Sequence, residues 1–174
     1  ETWTHDHTKT GVHDLCGNIW ELLAGLRIKN GVLMVAEGND AALPETDLTQ
    51  CGDDWKLLTD DKGAPVYVSA SGSEIVFTTD NDEAGGLGSC EWGKVKTECK
   101  SEMLKEYALF AGEKEAYCCI DATEGEYIPI RGGSWSNGGS AGVFNLSLSL
   151  PRSDSWTGIG GRSAFFKKKQ KAER

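Results

Sequence analysis

Two short segments, Gly17-Asn18-Ile19-Trp20-Glu21 and Arg131-Gly132-Gly133-Ser134-Trp135, place the strongest constraint on how this chain can fold. Each sets glycine close to tryptophan, a combination suited to a tight turn with a large ring packed beside it. Behind the second segment a serine-loaded tract runs to Gly160-Gly161-Arg162-Ser163-Ala164-Phe165. Eight of the thirteen serines lie between Ser134 and Ser163, interleaved with a frame of Gly, Trp, Phe, Pro and Arg. A fixed frame that carries interchangeable small polar residues is the pattern of a binding surface, whereas catalysis needs particular side chains. Gly138, Gly139, Gly142, Gly158, Gly160 and Gly161 predict irregular backbone with tight turns after Gly132, and little continuous hydrophobic patterning.

Ahead of that tract the chain reads as strands with one helix. Trp20, Leu22, Ala24, Leu26 and Ile28 alternate with Glu21, Leu23, Gly25, Arg27 and Lys29, which predicts one strand with a single core face. Asn30-Gly31 is the strongest two-residue hairpin signal, and Val32 to Ala36 supplies the return strand. Trp55 to Leu58 and Pro65 to Val68 read as strands around an Asp60-Asp61-Lys62-Gly63 turn, and Glu74 to Thr79 as another. Loops are expected at Gly38-Asn39-Asp40, around Gly52-Asp53-Asp54, and from Asp80 to Gly88. Met103, Leu104, Tyr107, Ala108 and Ala111 share one face at the 3.6-residue period, which predicts a helix over Thr97 to Ala111 capped by Gly112. Tyr127 to Ile130 reads as a strand leading into Arg131.

A chain of 174 residues fits one domain, 1–174, large enough to bury a core without staples. No apolar run approaches the roughly 18 residues needed to cross a bilayer, so no membrane insertion is expected. The chain opens on Glu1-Thr2-Trp3-Thr4 without methionine and is expected to be N-terminally incomplete. Charge is uneven: residues 1–130 hold 10 Lys and Arg against 25 Asp and Glu, a formal −15. Residues 131–166 hold three Arg against Asp154, and the Lys167-Lys168-Lys169 tail reads as a solvated basic end. An acidic body argues against nucleic acid as partner, because phosphate contacts need clustered Lys and Arg. Six cysteines (Cys16, Cys51, Cys90, Cys99, Cys118, Cys119) form no zinc spacing; reduced structural thiols are the default, although an even count permits bridges.

Leu15-Cys16-Gly17-Asn18-Ile19-Trp20-Glu21, Arg131 to Trp135 and Gly160 to Phe165 together resemble the formylglycine-generating-enzyme type of C-type lectin fold. The usual forms there are Gly-Asn-Val-Trp-Glu-Trp, Arg-Gly-Gly-Ser-Trp and a terminal Gly-Phe-Arg. This chain departs at Leu22, where a second Trp is usual, and at Gly161, where Phe is usual. The resemblance implies an α+β domain, irregular, with short antiparallel strands and a lineage-specific insertion at about residues 31–125. Enzymatic members oxidise a substrate cysteine with a pair of cysteines close to and after the Arg-Gly-Gly-Ser-Trp segment. No cysteine follows Cys119 here, and Ser136, Asn137 and Ser140 occupy that stretch. Copper-thiolate chemistry needs the sulfur as ligand and redox partner, so no enzyme activity, cofactor or metal is expected.

The non-enzymatic branch is the closer resemblance: variable proteins of diversity-generating retroelements, among them phage tropism determinants and bacterial surface proteins. It implies a variable ligand-binding region at about residues 131–166, on a virion (phage tail) or a bacterial cell surface, facing an unknown protein or cell-surface ligand. Template adenines are miscopied in such systems, chiefly in AAC codons. Ser134, Ser136, Ser140, Ser147, Ser149, Leu150, Asp154 and Gly158 are reachable from AAC. Trp156 is not, since its codon ends in G; with Leu150 it is the expected contact anchor. Trp20, Arg131, Trp135, Phe144, Pro151 and Arg162 are expected to hold the backbone still. The alternation in Asn145-Leu146-Ser147-Leu148-Ser149 predicts that Leu146 and Leu148 are buried and the serines presented.

Rival readings attach to single residues. His5-Asp6-His7 with His13 suggests a metal site but lacks a second cluster of ligands. Asp80-Asn81-Asp82-Glu83 offers oxygen ligands for calcium without the spacing of a known loop. Ser134, Ser136 and Ser140 have no histidine beyond His13 for a hydrolase triad. Asn145-Leu146-Ser147 is a glycosylation sequon. The function alternatives are a family oxidoreductase with an altered active site and a non-variable structural virion module.

Overall fold

The computed structural model describes residues 4, 7–11, 13, 15–110 and 115–161. The expected single strand from Trp20 to Lys29 divides into β1 (Trp20–Leu22) and β2 (Leu26–Lys29). Both pair along the strand at Glu126–Gly132, but their other neighbours differ, and the link between them is tied down separately: Leu23 N–H donates to Pro129 O at 3.0 Å, and Ala36 N–H donates to Gly25 O at 2.9 Å. Strand β2 pairs with β3 (Val32–Val35) about Asn30-Gly31, whose φ values of +50° and +81° match the left-handed pair that a two-residue type I′ turn requires.

Strands β4 (Lys56–Leu57), β5 (Tyr67–Ser71) and β6 (Glu74–Thr78) follow. The expected 60–63 turn is organised by Asp60, whose Oδ1 accepts from the N–H groups of Lys62 (2.9 Å) and Ala64 (2.8 Å). Next come β7 (Leu87–Glu91) and β8 (Lys96–Thr97).

The helix is much shorter than its periodicity predicts: α1 spans Glu102–Glu106. Thr97 is taken by β8, which pairs with Val76 and Phe77 of β6. Ser101 then caps the helix, accepting from Leu104 N–H at 3.4 Å and donating to Thr59 O at 2.7 Å. Ala108, at φ +54°, ends it. Leu104 is buried as expected, with Met103 and Tyr107 packed against the same core. Ala111 and Gly112 lie outside the described residues.

Strands β9 (Tyr117–Asp121), β10 (Glu126–Gly132), β11 (Gly142–Pro151) and β12 (Ile159–Gly160) complete the described residues. The ten-residue β11 corrects the expectation of little patterned structure after Gly132. The main sheet runs β7-β9-β11-β10-β2-β3-β5-β6-β8. Its β5 end also curls back to β7: Ala70 N–H donates to Gly85 O, Gly72 N–H to Leu87 O, and Ser89 N–H to Gly72 O, at 2.7–3.1 Å. The result is a ring of strands around the larger core. Strand accounts for 40% of the described residues and helix for 13%, so the fold is β-rich and the α contribution expected of it is small.

Residues 31–125 build much of that core. Leu33, Val35, Leu58, Phe77, Trp92 and Ile120 are at most 1% exposed and meet Leu26, Ile28, Leu146 and Leu148 from outside that range. Trp92 also donates through Nε1 to Phe144 O at 2.9 Å. The acidic segment therefore braces the C-terminal tract from beneath. A smaller cluster of Trp20, Ile130 and Leu150 sits on the other side, with Ile128 and Ile159 against it.

An ion network is also buried in the fold. Arg27 and Glu126 pair at 2.7 Å with side chains 3% and 2% exposed, and Arg152 donates to the same carboxylate at 2.7 and 3.1 Å. Arg27 also donates to Gln50 O (3.0 Å) and lies 4.2 Å from the centre of the Trp55 ring. All six cysteines carry free thiols. Burial pushes the Cys90 and Cys118 thiols up, away from the reactive thiolate.

Candidate ligand-binding site

The first two segments singled out in the sequence meet Gly160, at the start of the third, in one backbone junction. Strand β1 lies between β10 and β12, so Glu21 is register-paired with Arg131 on one side and Gly160 on the other. Gly17 N–H donates to Gly132 O (3.3 Å), Trp20 N–H to Gly158 O (2.7 Å) and Trp135 N–H to Asn18 O (2.9 Å). Gly132 and Gly133 have φ of +94° and +81°, and a Cβ on Gly132 would stand 2.9 Å from Leu15 O. The consecutive glycines are thus demanded by both conformation and close approach.

Among the expected scaffold residues, Trp20 is buried and Arg131 is a strut. Arg131 donates through Nη2 to Ala108 O (2.7 Å) and Nη1 to Phe144 O (3.3 Å); burial lowers its pKa, yet a guanidinium stays cationic. Trp135 and Phe144 depart from expectation, with 74% and 46% of their surface exposed. Their contribution to the frame is through the backbone: the Trp135 N–H bonds Asn18, and the Phe144 carbonyl takes the Trp92 and Arg131 donors. Pro151 is half-buried at the end of β11, and Arg162 lies outside the described residues.

Eight of the nine expected contact positions divide into two groups, and the ninth, Ser149, is half-buried. Ser136, Ser140, Asp154 and Trp156 are exposed. Ser134, Ser147, Leu150 and Gly158 are buried, and this corrects their assignment as presented residues. Ser134 is held by Asn137, whose Oδ1 accepts from the Ser134 N–H (2.7 Å) and hydroxyl (2.9 Å). Leu150 packs in the smaller core, and a Cβ on Gly158 would stand 2.1 Å from the Trp156 ring. Leu146 and Leu148 are fully buried as the alternation predicts, but the opposite face is half-covered. Ser147 is 9% exposed, and its hydroxyl and that of half-buried Ser149 share a 2.8 Å hydrogen bond.

Two hollows flank this tract. One, of about 710 Å³, is lined by Cys90, Glu91, Glu115, Ala116, Tyr117, Gly139 to Gly142, Phe144 and Asn145. The other, of about 260 Å³, is lined by Trp20, Tyr117, Ile130, Asn137, Ser140, Asn145, Ser147 and Trp156. Tyr117, Ser140 and Asn145 border both. Partial burial, helped by the adjoining Cys119 thiol, pushes the Tyr117 phenol above its usual range, so at neutral pH it is an uncharged hydroxyl. Sequence reasoning missed Tyr117 as a wall of the site, because parallel pairing of β9 with β11 brings it there. Ser153 and Ser155 were also passed over, although both are exposed beside Asp154 and Trp156.

Asn145 holds the border. It is 3% exposed; its Oδ1 accepts from Tyr117 N–H at 2.9 Å and its Nδ2 donates to Ser140 O. An amide committed in both directions and buried leaves no site for a glycan in the folded chain. Asn145→Ala is expected to lower unfolding stability by about 1–3 kcal/mol, the range for orphaned buried partners, in urea titration.

The 80–83 segment forms a turn, with Asp82 N–H donating to Asp80 Oδ1 at 2.9 Å. Among the described residues no group of three or more His, Cys, Asp and Glu could hold a metal ion; His5 and Asp6 lie outside them. No helix among the described residues is long and apolar enough to cross a membrane. No protein-family model matches the chain, and no curated protein matches it.

Proposed function

We propose that this chain is a ligand-binding protein with a formylglycine-generating-enzyme-type C-type lectin fold. Its C-terminal tract is diversified by a retroelement and displayed on a phage particle or bacterial surface. The observation that carries this reading is the division of labour within residues 131–161. Backbone bonds and buried side chains fix the junction with β1, while Ser136, Ser140, Asp154 and Trp156 reach solvent around two hollows. Loops on a rigid frame can exchange such side chains without unfolding the domain. Serine, glycine and asparagine beside an aromatic anchor also supply adaptable contacts, as in antibody paratopes.

The test is the nucleotide sequence of the locus. The expected result is a reverse-transcriptase gene and a near-repeat of the codons for residues 131–166, mismatched only at adenines. Mismatches are expected at the exposed positions Ser136, Ser140 and Asp154. Ordinary codons there, with no template repeat, would overturn diversification and leave a fixed binding or structural domain.

A further inference from the structure

The larger hollow carries a charge signature that the smaller one lacks. Glu91 and Glu115 stand at the same end of the β7–β9 ladder, because Glu91 is register-paired with Tyr117 and Trp92 N–H donates to Ala116 O at 2.9 Å. Both carboxylates line the 710 Å³ groove, and among the described residues no basic one lines it. Among the described residues Glu115 makes no ion pair. Among those residues Glu91 pairs with Lys94 alone, at 3.4 Å, with side chains 53% and 62% exposed, a contact of little worth that exchanges readily. Tyr117 and Phe144, 41% and 46% exposed, add accessible aromatic rings. Among the described residues, those lining the smaller hollow are all neutral.

We infer that the larger groove receives an arginine-bearing segment of a protein partner; this rests on the ligand-binding reading above and names the class of ligand. A guanidinium meets carboxylates through paired donors and stacks on aromatic faces at once, which an ammonium does less well. The groove's size falls within the range that buries a compact ligand. The formal −15 of residues 1–130 adds long-range attraction for such a segment.

The experiment is an amide-resolved NMR titration of the intact chain. The probe is an acetylated, amidated pentapeptide with two arginines spaced by glycine, compared with its lysine and glutamate counterparts. The arginine peptide is expected to shift the amides of Ala116, Tyr117, Ser140 and Gly142, with the lysine form weaker and the glutamate form silent. Glu91→Gln with Glu115→Gln is expected to weaken binding about tenfold, as loss of two partly exposed charge contacts would do. Asp82→Asn with Glu83→Gln removes the same charge elsewhere and should change binding less than about twofold, the effect of diffuse attraction alone. Equal weakening by both pairs, shifts outside the groove, or equal binding of the glutamate peptide would overturn the assignment. A template repeat at the locus with no arginine binding would remove this partner and leave the diversified function standing. Arginine binding without a repeat would do the reverse.

Discussion

Glu126→Gln is expected to lower unfolding stability by about 3–5 kcal/mol, the cost of breaking a buried ion pair from one side. The carboxylate is 2% exposed and is shared by Arg27 and Arg152, so its loss leaves Arg27, equally buried, without its counter-charge. Among the described residues the Arg27 Nε has no hydrogen-bond partner, and its other contacts, Gln50 O and the Trp55 ring, carry no counter-charge. Acid should reproduce the effect. Burial alone would raise the Glu126 pKa, but Arg152 and Arg27 outweigh it and hold the carboxyl below its ordinary value. A lowered pKa stabilises the fold fully above the unfolded value, about 4.3, and that share is lost as pH falls through the lower folded value. Urea unfolding of both proteins at neutral and acid pH is the measurement. The parent should lose more stability than the variant on acidification, and equal midpoints at neutral pH would show the network to be dispensable.

Leu150→Ala is expected to cost about 2–5 kcal/mol, as for other large-to-small changes in a core. Leu150 is 6% exposed and packs with Trp20 and Ile130 directly behind the junction of β1, β10 and β12. Ser136→Ala and Asp154→Ala should stay within about 0.5 kcal/mol, since both residues are exposed. Denaturant titration of the three variants measures how far the tract separates frame from surface. A Leu150 variant as stable as Asp154→Ala would restore Leu150 to the exchangeable set. If the prediction holds, position 150 tolerates only large apolar residues, and diversification of the kind proposed would be confined there to such residues.

Local chemistry was legible where it needed no distant partner. Asn30-Gly31 made its hairpin because left-handed φ at two adjacent residues is encoded by those residues alone. The Leu146 and Leu148 alternation named its buried face for the same reason. The 97–111 helix failed because Thr97 gains ladder bonds with Phe77, which helical periodicity does not register. Trp135 and Phe144 were misread because an aromatic in a motif suggests packing, whereas here the motif is held by their backbone groups. Tyr117 and Asn145 were invisible as one unit, since their bond spans 28 residues and depends on a parallel pairing. The Arg27–Glu126 pair, 99 residues apart, left no local trace.

The position of β11 has a consequence for biosynthesis. It lies between β9 and β10 in the sheet but is translated after both. Until residues 142–151 leave the ribosome, the two neighbours lack a shared partner and the larger core lacks Leu146 and Leu148. The nascent chain must hold that gap open, a stage at which exposed strand edges invite misassembly. If the tract is diversified as proposed, each version of it would be screened twice: first by whether its final long strand closes the domain in the cell, and only then by what it binds.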